Sequence, residues 1–345
     1  MRVVVVHNFY RQPGGEDTVF RSECQMLRSA GIEIETYSRS NWEPGAKLGL
    51  FWSHKTVREL RQLAKRFRPD VMHVHNSFFT LSPSVNWALD VPIVQTLHNL
   101  RRIDCRRDSF IESSALAMSY RLHQTLGTWR RITTYIAPSR FVRDAHAAHG
   151  IGPITVKPHF VSCRPQRRSG RGDYVLFAGR ICQDKGVTTL AAAWNMLKSP
   201  PPLVIAGSGP MEDVAKRIPQ SRLLGWIDRE ALWKVIRNAR FVVVPSEFQE
   251  PFGMAVIEAY ACGVPVVVSD SGALPELVEN GVTGHIFHSA QPAELADKVA
   301  SMWDNSESHG RAAYECFLSR YTAERNLQQL LGVYEQSCMR RPHAI

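Results

Sequence analysis

The chain opens with Arg2-Val3-Val4-Val5-Val6-His7, an unbroken apolar run between two polar residues. Such a run is too short for a helix and does not alternate, so it predicts a strand buried on both faces of a parallel sheet. The pattern recurs. Arg2–His7, Ile32–Ser38, Val71–His75, Ile93–His98 and Thr133–Pro138 predict short strands, several ending in polar residues. Between them Thr18–Ser29 and Lys55–Phe67 carry apolar positions at helical spacing. A second series follows, with strands at Tyr174–Gly179, Leu203–Ala206, Phe241–Val244 and Val266–Ser269 and helices at Val187–Met196 and Arg229–Ala239. Tyr321–Cys338 predicts a last helix, capped by Thr322, with Leu327, Leu330, Leu331 and Tyr334 on one face.

Strand–helix alternation repeated twice predicts an α/β protein of two doubly wound, Rossmann-like domains. The 345 residues exceed what one core usually serves. Ser162–Gly172 has no apolar periodicity and contains Gly170 and Gly172, so it reads as a linker. The expected domains are therefore 1–161 and 173–320, with 321–345 as a C-terminal helix and tail that returns to the first domain. Doubly wound sheets bind ligands at the carboxyl ends of their strands. If the two edges face each other, the cleft between them is the expected site.

Composition narrows the function classes. No run of eighteen apolar residues exists, and the first strand is too short for a signal peptide. Seven scattered cysteines without a CxxC predict reduced thiols and a cytoplasmic location, against a disulfide framework or a structural zinc site. The net charge of +10 is uneven: residues 1–161 hold 22 Lys and Arg against 13 Asp and Glu. A basic half can face a phosphorylated substrate, an anionic membrane or a nucleic acid. The basic residues lack interleaved aromatics and any reader motif, which disfavours nucleic acid. On Lys55–Phe67 the stripe Val57, Leu60, Ala64 and Phe67 lies beside Lys55, Arg58, Arg61, Lys65 and Arg66. That helix can rest on a membrane or simply pack on the sheet. Arg101, Arg102, Arg106 and Arg107 form a second basic cluster.

Candidate chemistry sits where strands end. Glu250 and Glu258 bracket Pro251-Phe252-Gly253-Met254-Ala255-Val256-Ile257. Pro251 suits the first turn of a helix and Gly263 with Pro265 its end. On that reading Glu250 stands at the helix mouth and Glu258 roughly 10 Å further along at ~1.5 Å per residue. A helix N-terminus suits phosphate, and carboxylates accept hydrogen bonds from vicinal hydroxyls. An ordinary amphipathic helix would read the same. Gly14-Gly15 follows the first strand, Gly179-Arg180-Ile181-Cys182-Gln183-Asp184-Lys185-Gly186 the sixth, and Gly207-Ser208-Gly209-Pro210 the next. Paired glycines admit close approach, and Arg180 and Lys185 suit a diphosphate. None of these is GxGxxG, a Walker A or a serine elbow, which disfavours NAD binding and an ordinary P-loop NTPase. His73 and His75 share one face of a strand, but a metal there lacks an evident third ligand. His98 ends a strand and suits a side chain pointing into the site.

In this order Gly179-Arg180, Lys185-Gly186, Gly207-Ser208-Gly209-Pro210, Leu224-Gly225-Trp226, Pro245-Ser246, Glu250 with Glu258 and Gly263-Val264-Pro265-Val266-Val267 form an ordered set. The set resembles the family-4 (group 1) retaining glycosyltransferases of GT-B architecture. In the first half His7-Asn8-Phe9-Tyr10, Gly14-Gly15-Glu16-Asp17 and Thr96-Leu97-His98-Asn99 look like a subgroup from bacterial cell-surface polysaccharide gene sets. The resemblance implies that Arg180 and Lys185 neutralise a donor diphosphate, with Gly14, Gly15 and Gly209 close to it. It implies that Glu258 holds ribose hydroxyls and Glu250 the transferred sugar, with Phe252, Gly253, Met254 and Ala255 supplying main-chain contacts. His98 would touch the donor sugar near the reacting carbon, and Leu224, Gly225, Trp226 and Ile227 would flank the base. The implied reaction moves a sugar from a nucleotide-diphosphate sugar, UDP before GDP, to a glycan or lipid-linked acceptor in polysaccharide or lipopolysaccharide synthesis. It needs no metal and no cofactor beyond the nucleotide sugar, and its acceptor allows peripheral contact with the inner face of the cell membrane. A GT-B nucleotide-sugar epimerase or phosphorylase is the alternative. Gly272-Ala273 departs from a Gly-Gly pair, and the arginine-rich Leu100–Ser114 matches poorly.

Overall fold

In the computed structural model the described residues are 1–10, 14–41, 50–78, 80–104, 110–162 and 170–340. Arg106, Arg107 and linker residues 163–169 lie outside them, as does Pro13. The chain divides into two compact units, Phe160–Thr322 and the remainder, Met1–His159 with Ala323–Ile345.

The first unit runs β1 (Arg2–Phe9), α1 (Gly15–Ser29), β2 (Glu33–Ser40), α2 (His54–Phe67), β3 (Val71–Asn76), β4 (Ile93–Thr96), α3 (Phe110–Thr125), β5 (Thr134–Ala137), α4 (Arg140–Ala147) and β6 (Ile154–Val156). All strand pairs are parallel, in the order β2-β1-β3-β4-β5-β6. The order reverses between β1 and β3, where the flanking connections diverge and leave a crevice at the strand ends. Val3, Val4, Val5 and Val6 are fully buried, as their unbroken run requires.

Helix α2 is capped by the Ser53 side chain, which accepts from the Thr56 amide. Its Val57, Leu60 and Leu63 join Val4, Val6, Met72 and Val74 in the core, with Ala64 and Phe67 alongside. The apolar stripe is therefore covered by the sheet, and only the basic face is exposed. This corrects the membrane-resting reading of the helix: no apolar face is left to enter a bilayer. Among the described residues no helix is long and apolar enough to cross a membrane.

The second unit runs β7 (Tyr174–Ala178), α5 (Val187–Met196), β8 (Leu203–Ala206), α6 (Glu212–Lys216), β9 (Ser221–Gly225), α7 (Arg229–Asn238), β10 (Ala239–Val244), α8 (Met254–Ala261), β11 (Val266–Ser269), α9 (Leu274–Leu277), β12 (Gly284–Phe287) and α10 (Pro292–Arg320). Its parallel sheet has the order β12-β11-β10-β7-β8-β9, reversing between β7 and β10. One apolar core lies around α8 and Tyr321, and a second around α5 and the first half of α10. Phe160 and Val161 are buried with this unit, and the Val161 amide bonds the Tyr321 carbonyl.

The last helix, α11 (Ala323–Met339), belongs to the first unit. Its buried residues are Asn326, Leu330, Val333, Tyr334 and Ser337, whereas Leu327 and Leu331 sit at the margin. The face is thus turned from the expected one by polar anchors. Asn326 bonds Lys157 and the Pro158 carbonyl, and the Ser337 hydroxyl donates to Thr134 Oγ1.

Candidate active site

In the second unit the chemistry gathers at the reversal between β7 and β10. After β7, Gly179-Arg180 leads into a single tight turn at Gln183–Lys185, and Gly186 starts α5 at φ 72°. A Cβ on Gly186 would stand 1.7 Å from the Pro245 carbonyl oxygen. Only glycine lets the β7 turn pass beneath the end of β10 this closely. The Glu247 and Phe248 amides donate to the Asp184 carbonyl, and Thr189 donates to Glu247, which lashes the two loops together.

That close approach sets Lys185 Nζ 2.5 Å from Glu250 Oε1, and the same oxygen accepts from the Ser246 hydroxyl at 2.7 Å. Ser246 is held in turn, since its carbonyl accepts from Ser269 at 2.6 Å. Glu250 is only 8% exposed. Pro251 is not in the first turn of the helix, contrary to expectation. The chain bends at Pro251-Phe252, Gly253 takes φ 112° as the N-cap, and α8 starts at Met254. The Phe252 ring packs in the core, so it has only main chain to offer a ligand. Glu250 and Glu258 therefore do not share one helix. The first stands on a loop before it, and the second lies in its second turn. The amides of Met254 and Ala255 belong to the first turn, where N–H groups have no acceptor within the helix. Glu258 is half-buried, and burial pushes its carboxyl up to about 7, against the pull of the Arg229 charge.

Arg180 is exposed at the β7 end, and among the described residues no carboxylate pairs with it. Gly209 follows β8 and donates its amide to Glu212. Leu224 and Gly225 end β9, where the Gly225 carbonyl accepts from Gly207. Trp226 follows at 76% exposure, with Ile227 half-buried beside it.

The first unit holds a second cluster. Gly14 caps α1, and its amide donates to Asp17 Oδ2 at 2.9 Å. Asp17 Oδ1 bonds His7 Nε2 at 2.7 Å, tying the turn to β1. A Cβ at Gly14 or Gly15 would meet no atom within 4 Å, and neither takes a left-handed φ. Neither packing nor conformation requires glycine there.

His98 lies just past β4. Burial, then the nearby His75, holds its imidazole well below the usual range, so it is neutral. His75 Nδ1 stands 3.1 Å from His98 Nε2, and His159 stacks on its other side at 5.4 Å. Glu23 Oε2 lies 3.0 Å from His75 Nε2, while Oε1 pairs with Lys157 Nζ at 2.5 Å. His73 bonds Tyr334 and Thr96 at 2.8 Å each. Glu23 is thus the third partner that His73 and His75 lacked in the sequence. Both His73 nitrogens and Glu23 Oε1 are already engaged, by Tyr334, Thr96 and Lys157, so only Glu23 Oε2 and His75 Nε2 of this cluster are without a hydrogen-bond partner. Sequence reasoning missed Glu23, Lys157, Asn326 and Tyr334. A lysine followed by Pro158-His159-Phe160-Val161 was the available signal, since an apolar surround implies a buried partner.

A cavity beside His98 is lined by Glu16, Asn76, Gln95, Asn99, Arg102 and Trp129, among others. The Arg102 guanidinium lies 4.2 Å from the Trp129 ring centre and donates to the Tyr135 hydroxyl at 2.5 Å. Asn99 is held by Glu16, and Arg101 by Tyr10.

Two family models match the chain, "Glycosyltransferase Family 4" over residues 3–164 and "Glycosyl transferases group 1" over 164–317. A glycogen synthase of Mycobacterium tuberculosis is 32% identical over 294 residues, covering 76% of this chain and 68% of the relative. Among solved structures, sucrose-phosphate synthase from Thermosynechococcus elongatus aligns over 97% of this chain and 98% of its own, at TM-score 0.77 and 18% identity. Anabaena Alr3699/HepE in complex with UDP-glucose aligns over 97% and 100%, at TM-score 0.74 and 17% identity. The two parallel sheets and these neighbours give the two-domain GT-B fold.

Proposed function

Because the chain belongs to the group 1 glycosyltransferases, we propose that its second unit holds a nucleotide-diphosphate sugar, UDP- before GDP-linked. The sugar passes, with retention at the anomeric carbon, to a glycan or lipid-linked acceptor in polysaccharide or lipopolysaccharide synthesis. The observation that carries this reading is the arrangement around the start of α8. Lys185 and Glu250 are locked together on one side of it, Arg180 stands at the adjoining strand end, and Glu258 lies one turn inside. A sugar, a diphosphate and a ribose in line would meet these groups in turn.

In this reading Glu258 accepts hydrogen bonds from the ribose hydroxyls, and Glu250 positions the transferred sugar. Arg180, Lys185 and the first-turn amides of α8 stabilise the diphosphate as it leaves, in the role that a divalent cation fills in other transferases. The bond from the anomeric carbon to the phosphate oxygen breaks, and its electron pair stays on the diphosphate. The acceptor oxygen bonds to the same carbon on the same face. Its proton passes to the departing phosphate oxygen. In the first unit neither packing nor backbone conformation obliges Gly14 and Gly15 to be glycine, which fits a binding role for that turn. The complex of the Anabaena neighbour with UDP-glucose supports a uridine donor, and the glycogen synthase relative supports a glycan acceptor.

Calorimetry with UDP, GDP and ADP in EDTA tests the reading. One nucleotide, expected to be UDP, binds the wild type. Glu258→Ala binds it about 10- to 100-fold more weakly, the worth of hydrogen bonds to a charged group. Binding of none of the three would refute the donor site. The same titration carries a proton signature. A carboxyl with a pKa of about 7 is half-protonated at pH 7, and hydroxyl donors select its ionised form. Nucleotide binding at pH 7 therefore releases a fraction of a proton, and affinity rises as pH climbs through 7. Heats in two buffers of different ionisation enthalpy report that release, and Glu258→Gln removes the carboxyl's share of it, leaving only what the terminal phosphate of the nucleotide contributes.

A further inference from the structure

Two arginines of the first unit lie over tryptophan rings, and the fold uses them differently. The Arg131 guanidinium stands 4.7 Å from the Trp87 ring centre, donates to the Asn86 and Leu89 carbonyls and pairs with Asp90 at 2.6 Å. Its fork and its charge are both spent within the protein. Arg102 lies over Trp129 and, at 4.9 Å, over Tyr135 as well, yet it donates to the Tyr135 hydroxyl alone. Among the described residues no carboxylate pairs with it. We infer that Arg102 binds an anionic group of the sugar acceptor, a phosphate or a carboxylate, in the cavity beside His98. The inference rests on the reading above in one respect, that the first unit takes the acceptor.

A guanidinium carries five N–H donors in a rigid fork that matches two oxygens of one anion. Arg102 is half-buried and lines the cavity with Gln95, His98, Asn99 and Trp129. The two aromatic rings hold its head in place before a ligand arrives, so little freedom is lost on binding. Its charge is not balanced from behind. Burial raises the Tyr135 hydroxyl above its ordinary range, so that group is a neutral acceptor and no counter-charge. His98 is neutral too. Glu16 is the one carboxylate among the lining residues, and Asn99 holds it, while Arg101 adds a second positive charge. The wall is therefore positive on balance. A half-buried charge without a counter-ion is costly, and an anion entering the cavity supplies one.

The same wall holds a second unmet group. Gln95 Oε1 is buried without a hydrogen-bond partner. Its amide can turn about the last side-chain bond and present N–H donors instead. A buried polar atom left unpaired marks a place where a ligand or a water completes the bonding. The free space is ≈ 50 Å³, room for a single small group in place of a few waters.

The test is proton–nitrogen-15 NMR of the arginine side chains in the whole chain, with the Nε–Hε signals of Arg102 and Arg131 assigned by Arg102→Lys and Arg131→Lys. The probes are inorganic phosphate, glucuronate and glucose, at an ionic strength fixed with sodium chloride. The Arg102 signal is expected to move and saturate with phosphate, with glucuronate or with both. Half-saturation falls on the order of 1 mM, the worth of two charge-assisted hydrogen bonds. Glucose leaves the signal in place, and Arg131 stays in place with all three. A response to phosphate alone identifies a phosphorylated acceptor, and a response to glucuronate alone an acidic sugar. Followed at the Trp129 indole proton, Arg102→Gln weakens the same binding by about tenfold or more. If no replacement of Arg102 folds, the indole of the wild type reports the titration by itself. An Arg102 signal that neither anion moves would overturn the inference, as would one that glucose moves equally. The titration needs neither nucleotide nor transfer. If phosphate or glucuronate saturates Arg102 while no nucleotide binds in calorimetry, the donor reading falls and the anion site stands; UDP binding with a silent Arg102 removes the anion site alone.

Discussion

Replacing Arg180 with alanine lowers kcat by about 10²- to 10³-fold, the usual loss when one preorganised group facing developing negative charge is removed. The expectation rests on how the two cations at this strand end differ. Lys185 is bound to Glu250 at 2.5 Å, so part of its charge is spent within the protein. Arg180 is exposed, and no described carboxylate pairs with it, so its charge is free for the leaving diphosphate. The effect falls on kcat at saturating donor more than on KM, because the charge on the leaving group grows toward the transition state. Arg180→Lys restores part of the rate and not all of it, since a point charge replaces a planar fork. Steady-state kinetics on the three proteins decides the matter: wild-type turnover in Arg180→Ala would remove Arg180 from the mechanism.

Lys157→Met destabilises the protein by about 3–5 kcal/mol, the cost of leaving one partner of a buried ion pair without the other. Lys157 is 1% exposed and Glu23 2%, so neither charge has solvent to fall back on. Adding Glu23→Gln recovers most of the loss, because both charges are then gone. The pH dependence has a definite sign. Burial alone would raise the Glu23 carboxyl, but Lys157 and the contact with His75 more than reverse this, and it is held well below 4.5. A depressed carboxyl contributes stability above its unfolded value near 4.5 and loses it as pH falls through the folded value. In Lys157→Met that depression disappears, so the gap between the two proteins narrows as the pH is lowered below 4.5. Urea unfolding at pH 7 and pH 4 measures both effects, and equal midpoints at pH 7 would show the pair to be dispensable.

The interior strands could be read from composition because they are buried on both faces, which leaves runs such as Val3–Val6 and Val266–Ser269. The strands that escaped notice, β6, β9 and β12, are all at sheet edges. Edge strands are half in solvent, so Ser221-Arg222-Leu223-Leu224-Gly225 carries no continuous apolar signal. Site residues near strand ends were found because glycine, arginine and glutamate stand out against apolar neighbours. Where the reading of Glu250 went astray, it took Pro251 as a helix start, and the main chain bends there instead. The Glu23–Lys157 pair was out of reach for a different reason: its partners lie 134 residues apart, and no local pattern links them.

The return of α11 to the first unit has a consequence for how the molecule is made. On a ribosome the chain emerges from its N-terminus, so Glu23 and Lys157 are present long before Asn326 and Tyr334. The second unit, Phe160–Thr322, is complete in the nascent chain before the last segment of the first appears. The half that begins first is thus the half that finishes last. Its buried lysine and its histidine pair remain without their final partners until the whole of the second unit has been made.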